Sequence, residues 1–517
     1  MKTKRLKKIK EKMTLNPIMT FLILIAATIV ISGILSLLGF EATYSKINTA
    51  GDYTPTLEVV ESLFSLSGLK FIFSQTISNF ASFAPLVNLI IVLFGIGIME
   101  KSGFLRTAFT LLTKYTKKNT VTFVFVLICV VSSLGGDLGY VVMIPLSALL
   151  YLHGKRNPLV GIITAFAALA CGSGLSLLFT AQDSALLQLT LQGAAKLDVS
   201  YTIASFSMLF IMAIAVIVIT LLITRISEAY TSQKIGKYDF TEYEEEEHTI
   251  AKKELKGLIF GLGAGLIYIL IFIYCIIPDL PFSGTFLDNS NPDALYIDKL
   301  FGYDSFFSNG FVFIITILFI IWGLFYGLGA KTIKNNNDIA NYLGHSLDGI
   351  GKPIALIFLA STFISVFKKT NIGNVITALF ANVIEKTSFQ GIPLIILLFV
   401  IVALVTLVLP SSTSKWAILS GVTVPVMMNA GLSPEFTQVI FRFGESFTMG
   451  ITPLLAYFVI YLAYLEKYNQ DDKPIPLVTS LKHQLPYSLA TGGILLLLLI
   501  IWYLIGVPIG IGGSAVL

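Results

Sequence analysis

Residues 392–428 read IPLIILLFVIVALVTLVLPSSTSKWAILSGVTVPVMM. Two apolar arms, Ile392–Leu409 and Trp416–Met428, are separated only by Pro410-Ser411-Ser412-Thr413-Ser414-Lys415. The second arm is too short to cross a bilayer, which takes about 20 apolar residues as a helix. The pair therefore reads as a re-entrant hairpin (392–430) that enters and leaves on one side. An earlier stretch repeats the pattern: Val121–Ser133 and Leu138–Leu150 flank Leu134-Gly135-Gly136-Asp137 in a hairpin spanning 121–152. Each hairpin is followed by a long apolar run with a polar or glycine-rich break. Run 158–194 breaks at Cys171-Gly172-Ser173-Gly174, and run 435–465 breaks at Gly444-Glu445-Ser446. Irregular backbone at membrane depth is tolerated only where it is buried in protein or lines a cavity.

The composition agrees. Of 517 residues 55% are hydrophobic and 13% charged, and the mean hydropathy is +0.83. A soluble domain carries about 25% charged residues. The chain reads as an all-α polytopic membrane protein, which excludes soluble enzymes and nucleic-acid binders. Its net charge of +5 follows from lysines distributed by topology and needs no anionic partner. Cys129, Cys171 and Cys275 lie in apolar runs without CxxC spacing, and the four histidines form no HExxH cluster. No cofactor and no resident metal are expected beyond a coupling ion. The basic N-terminus precedes an uncharged run over Pro17–Phe40. That run outlasts the roughly 7–15-residue core of a signal peptide, so it reads as a retained transmembrane helix.

Whole helices at 17–40, 84–100, 201–224, 256–277, 308–330, 353–367 and 487–508 join the two broken ones to give nine crossings. With both hairpins re-entrant and the N-terminus cytoplasmic, the inner segments hold 26 Lys and Arg and the outer segments 7. That asymmetry is the positive-inside pattern, and it places the C-terminus outside. Two units repeat within the layout. Residues 84–224 contain a helix, an amphipathic piece, a hairpin, a broken helix and a whole helix, and residues 353–508 contain the same order entering from the opposite side. Such inverted repeats with discontinuous helices mark secondary transporters, whose sites lie near the bilayer midplane. Segment 1–83 holds the basic tail, first helix and outer loop. Segment 225–352 holds a cytoplasmic linker and connecting helices, and 509–517 is a tail.

Ionisable residues inside a membrane are functional candidates by default. Five fall at the tips and breaks: Asp137, Asp183, Lys415, Arg442 and Glu445. Arg442 and Glu445, three apart on one turn, either form an internal ion pair or divide the work, Arg442 holding a substrate carboxylate bidentately and Glu445 a coupling cation. Asp137 either caps the return helix or binds a cation. Trp416 either packs or stacks on an aromatic ligand ring. Ser411, Ser412, Thr413 and Ser414 at one tip, with Ser132, Ser133, Ser173 and Ser176 in the other half, supply hard oxygens suited to sodium. A buried carboxylate carrying a proton is the alternative. An intramembrane enzyme would need a Ser–His dyad, paired aspartates or a metal cluster; no histidine falls in a span, and Asp137 and Asp183 belong to different motifs.

Several stretches together carry a resemblance: Phe83-Ala-Pro-Leu, Gly95-Ile-Gly-Ile-Met-Glu-Lys-Ser-Gly103, Asp137-Leu-Gly-Tyr-Val-Val-Met-Ile-Pro145, Ser414-Lys-Trp-Ala-Ile-Leu419, Ser433-Pro-Glu-Phe-Thr-Gln438, Ile451-Thr-Pro-Leu454 and Leu485-Pro-Tyr-Ser-Leu489. The chain resembles the p-aminobenzoyl-glutamate transporter (AbgT) family from near Leu15 to Pro508. The resemblance implies nine transmembrane helices, two opposed hairpins, a homodimer in the bacterial inner membrane, and membership of an ion-transporter superfamily. It implies import of p-aminobenzoyl-glutamate or export of sulfonamide antimetabolites, with a dicarboxylate or amino-acid carrier as the alternative. The family's functional aspartate, tryptophan, proline and arginine correspond to Asp183, Trp416, Pro434 and Arg442. Its tip and break asparagines fall at Ser133, Ser176 and Thr406, its second aspartate at Glu445, and its Gly-Ser-Ala-Ser tip at Pro410-Ser411-Ser412-Thr413. These departures sit where a cation and a substrate would bind.

Overall fold

The computed structural model describes residues 15–47, 53–132, 137–177, 180–241, 250–292, 296–301, 305–471 and 473–517. Ser133 and the glycines of the first tip lie outside them. Helices dominate; the one sheet among the described residues is a two-stranded hairpin. Among the described residues, eight segments are long and apolar enough to cross a membrane: Pro17–Leu37, Leu66–Ser102, Leu209–Ile235, Lys252–Ile276, Gly310–Ala330, Gly351–Lys369, Gly391–Val408 and Leu477–Ile505. The chain is thus a multi-pass membrane protein by length and composition of its helices. It divides into two compact units.

One unit comprises residues 84–185 and 212–351. To reach it the chain runs through α1 (Pro17–Leu37), strands β1 (Glu41–Ile47) and β2 (Tyr53–Val59), and α2 (Leu66–Ala81). The unit itself begins with α3 (Ala84–Ser102) and the amphipathic α4 (Phe104–Tyr115). The first hairpin arms are α5 (Lys118–Val131) and α6 (Leu138–His153), and α7 (Pro158–Gly172) packs on both with nearly every side chain buried. Asn157 caps α7 by accepting from Leu159 N at 3.0 Å, with Pro158 at the first helical position where its missing N–H costs nothing. The chain leaves helical form after Gly172 and resumes as α8 (Ala181–Ala194). Then follow α9 (Leu209–Ile226, continuing as a wider turn to Thr231), α10 (Lys252–Ile276), α11 (Tyr296–Phe301), α12 (Phe306–Ala330) and α13 (Asn336–His345). Helices α10 and α12 meet along Gly257, Gly261 and Gly265, one face at four-residue spacing. A Cβ at Gly257 would lie 2.8 Å from Ala330 Cβ, and one at Gly261 2.8 Å from Trp322 O. Small residues here let two backbones approach closely, which is how helices associate in lipid. Trp322 is stacked between Phe104 and Phe319 at centroid distances of 5.7 and 5.9 Å.

The other unit comprises 1–83, 186–211 and 352–517. Its later helices are α14 (Gly351–Lys369), α15 (Ile372–Glu385), α16 (Gly391–Val408), α17 (Ser412–Asn429), α18 (Pro434–Thr448), α19 (Phe458–Lys467) and α20 (Leu477–Ile505). The stretch expected as a plain outer loop over 41–83 instead forms the β1–β2 hairpin, in register from Glu41↔Val59 to Ile47↔Tyr53, and helix α2. The hairpin packs Ala42 and Tyr44 onto Ile372, Val375 and Ala378 of α15 and Ile418 of α17. Two helix ends also move: the helix expected at 201–224 starts at Leu209, and that expected at 487–508 starts at Leu477. The terminal segment binds back by main-chain hydrogen bonds. Leu517 N reaches Gly431 O at 3.0 Å, Ser433 N reaches Ala515 O at 3.2 Å, and Ile511 N reaches Phe206 O at 2.9 Å.

The second break also moves. Helix α18 runs unbroken through Gly444-Glu445-Ser446 to Thr448, and a short 3₁₀ turn at Met449–Ile451 precedes the gap before α19. Gly444 serves packing, since a Cβ there would lie 2.8 Å from Phe399 O and 3.0 Å from Val402 Cβ on α16. The helix breaker is Pro453, which has no N–H and forces Thr452 into the extended region (φ −110°, ψ 127°).

Candidate functional site

In the unit that holds α16 to α18, the chain turns at Leu409-Pro410-Ser411, where proline ends one arm, and Ser412 opens α17. Ser412, Thr413 and Ser414 therefore lie in the first turn of the returning helix, not in an unwound tip. Lys415 follows in the same turn, against the positive end of the helix dipole, where a cation is disfavoured. It is 0% exposed. Its Nζ donates to Thr406 Oγ1 at 2.7 Å, and lies 3.5 Å from Glu445 Oε2 and 5.8 Å from the Phe441 ring centroid. The Thr406 hydroxyl in turn donates to Val402 O at 2.7 Å, so it presents only lone pairs to the ammonium. Glu445, one turn after Arg442 on α18, accepts from Ser412 Oγ with its other oxygen. Thr406, Ser412 and Glu445, read from the sequence as ligands of a coupling cation, are thus brought together around a lysine. No such contact is seen for Thr413.

Arg442 is 3% exposed on the same helix. Pro434 occupies the first position of α18, behind the Ser433 cap, which accepts from Phe436 N at 3.1 Å. Eight residues at 1.5 Å each separate Pro434 from Arg442, about 12 Å along the axis, so these two candidates sit at different levels. Trp416 is fully buried, its ring tilted against Phe441 at a centroid distance of 4.4 Å. Its Nε1–H donates to Thr190 Oγ1 at 2.8 Å, and Thr190 donates to Gln438 Oε1 at 2.7 Å. Gln438 Nε2 is buried without a hydrogen-bond partner among the described residues. Thr190 and Gln438 were not singled out from the sequence. Gln438, four residues before Arg442 on the same face, is where helical spacing points.

In the other unit, Asp183 is 3% exposed and sits three residues into α8 behind Thr180. Thr180 N and Oγ1 donate to Asp183 Oδ2 at 2.9 and 2.7 Å, and Asp183 N donates back to Thr180 Oγ1 at 3.2 Å. This is a reciprocal capping box with aspartate in the acidic position. Ser176 Oγ donates to Asp183 Oδ1 at 3.2 Å, so two of the expected site residues meet in the first break. Asp137 occupies the N-cap position of α6 but makes no side-chain capping bond, its backbone being already helical (φ −75°, ψ 0°). The capping reading of Asp137 is therefore not seen.

Electrostatically, α17 and the second half of α18 bury two cations, Lys415 and Arg442, against one carboxylate, Glu445. Glu435, also buried, accepts from Tyr201 OH at 2.8 Å in the first turn of α18, where the helix N-terminus favours negative charge. Lys415, Arg442 and Glu445 thus place three ionisable groups in the interior of this unit.

The sequence was compared with known proteins. The model of the AbgT putative transporter family matches residues 5–517. The chain is 27% identical over 497 residues to the p-aminobenzoyl-glutamate transport protein of Escherichia coli (strain K12), covering 96% of this chain and 94% of that protein. Among solved structures it is similar to the Alcanivorax borkumensis YdaH transporter, with 26% identity, 96% and 100% of the two chains covered and a TM-score of 0.48. It is also similar to Neisseria gonorrhoeae MtrF, described as illuminating a class of antimetabolite efflux pumps, with 28% identity, 97% and 98% covered and a TM-score of 0.48.

Proposed function

The chain belongs to the AbgT putative transporter family, and on that premise we propose that it is an ion-coupled secondary transporter of a small carboxylate solute. The solute is p-aminobenzoyl-glutamate or a related conjugate, or in the opposite direction a sulfonamide-like antimetabolite. The observation that carries this reading is the burial of Lys415, Arg442 and Glu445 together in a membrane-spanning unit. Ionisable side chains at membrane depth are costly and mark solute or ion pathways, and a guanidinium matches a carboxylate bidentately. Arg442 holds the solute carboxylate through its planar fork. Trp416 is the aromatic candidate in the same unit; Pro434 lies about 12 Å along α18 from Arg442, and Asp183 is a separate candidate in the other unit. The carrier spans the bacterial inner membrane nine times with two opposed re-entrant hairpins, N-terminus inside and C-terminus outside, as a homodimer that works by elevator or rocking motion. Coupling is to sodium or protons, with Asp137, Ser176 and Ser133 as ligands in the first half.

A dicarboxylate or amino-acid carrier is the second reading. It is favoured by the Trp416 ring, whose face is taken by Phe441 and whose N–H is taken by Thr190. Uptake and binding in proteoliposomes separate the two. An aminobenzoyl conjugate should compete for transport better than plain glutamate, and neutralising its carboxylates as amides should abolish competition. Arg442→Lys keeps the charge but loses the fork, so it should still impair acid binding. An amide analogue that binds as well as the acid sinks the anionic-solute reading.

A further inference from the structure

The family resemblance and the hydroxyl-rich tip at Ser411–Ser414 point to sodium at the second hairpin. The donors there do not fit a free sodium ion. The Thr406 lone pairs and one Glu445 oxygen face Lys415 Nζ, and the other Glu445 oxygen holds the Ser412 hydroxyl. We propose that the Lys415 ammonium is the permanent cation of this tip, so that this half of the carrier binds no sodium and any coupling ion is taken elsewhere.

The geometry supports this on three counts. First, Lys415 has no reason of its own to be where it is. It is 0% exposed, in an apolar helix, in the first turn, where the helix dipole opposes a positive charge. Second, its two oxygen partners converge on it from different helices. Thr406 comes from α16 and Glu445 from α18, while Thr406 commits its proton to Val402 O. A hydroxyl fixed in that sense with a carboxylate beside it is what a monovalent cation requires, and here the cation is covalently attached. Third, both Glu445 oxygens are already engaged, one beside Lys415 Nζ and the other by the Ser412 hydroxyl. A sodium ion added there would have to displace the ammonium. Every residue of α16 is uncharged. The acidic residue of α15, Glu385, is exposed at its far end.

The inference rests on the ion-coupled transport reading, but its test uses no solute, so the two fail separately. Radiolabelled sodium binding is measured on the purified full-length protein, with choline chloride holding ionic strength constant. Thr406→Ala should leave sodium affinity unchanged. Lys415→Met should create sodium binding absent from the parent, and adding Glu445→Gln to it should remove that gain. A loss of affinity of about tenfold or more in Thr406→Ala, corresponding to one lost ligand, overturns the proposal. So does a folded Lys415→Met protein that gains no sodium. If Lys415→Met does not fold, the mild Thr406→Ala substitution still decides.

Discussion

The Lys415–Glu445 pair lends itself to a double-mutant cycle. Nζ and Oε2 are 3.5 Å apart, with side chains 0% and 3% exposed. Two unit charges at that separation attract by about 5 kcal/mol at the effective dielectric of roughly 20 that best describes buried sites. Glu445→Gln forfeits this attraction and leaves Lys415 buried without its carboxylate, so it should cost about 3–5 kcal/mol, whereas Lys415→Met leaves Glu445 beside Arg442 on the same helix and should cost less. The cost of burying both charges nearly cancels their attraction, so the double variant should lie within about 1 kcal/mol of the parent. The coupling energy is then several kcal/mol. Equilibrium unfolding of the purified protein by sodium dodecyl sulfate in mixed micelles measures all four corners. Additive effects, with coupling below about 0.5 kcal/mol, would mean that the charges do not sense each other, and the ion-pair account of this tip would be wrong.

Two glycine substitutions should move stability in opposite directions. Gly444→Ala drives a methyl to within 2.8 Å of Phe399 O, and overpacking of this kind costs about 1–3 kcal/mol. Gly493→Ala in α20 meets nothing within 4 Å and should gain up to about 1 kcal/mol of helix propensity, read from thermal melts. In the first break, Thr180→Ala should lower stability by about 1 kcal/mol through loss of the cap with little effect on transport. Asp183→Asn should silence transport without a comparable loss of stability. Equal effects on both measurements would reduce Asp183 to a capping residue. In a cysteine-free background, Phe389→Cys just before α16 and Asn429→Cys at the end of α17 should react with an impermeant thiol reagent from the same face. Labelling from opposite faces would turn the second hairpin into a single crossing.

Much of this was legible in the sequence. The helical, multi-pass architecture, the first break and the family all follow from apolar run lengths and local motifs, because a membrane forces each span to satisfy its own backbone. The second break was misplaced because Gly444 and Pro453 look equally disruptive in isolation. Only the closeness of α16 shows that the glycine makes room and the proline breaks. The β1–β2 hairpin was missed since its strands lack a hydrophobic run, although the Thr, Tyr and Val in Glu41–Ile47 and Tyr53–Val59 are good strand formers. The sequence leaves open whether Glu445 pairs with Arg442 or holds a cation, and the structure sets Lys415 Nζ 3.5 Å from its carboxylate. A usable signal existed. Thr406 and Lys415 lie equally far from the turn at Pro410-Ser411, so closing the hairpin sets them opposite each other.

The burial of Trp416 has an optical consequence. The chain has three tryptophans, and their indoles differ in kind. Trp322 is stacked between two phenylalanine rings with a buried N–H that has no hydrogen-bond partner among the described residues, and Trp502 donates to Pro508 O at 3.3 Å. Trp416 alone touches the candidate site, fully buried and hydrogen-bonded to a threonine that itself donates to Gln438. With Trp322 and Trp502 replaced by phenylalanine, the remaining emission comes from inside the site. Its colour and quenching then report whether water or solute reaches that pocket during a transport cycle, with no attached dye.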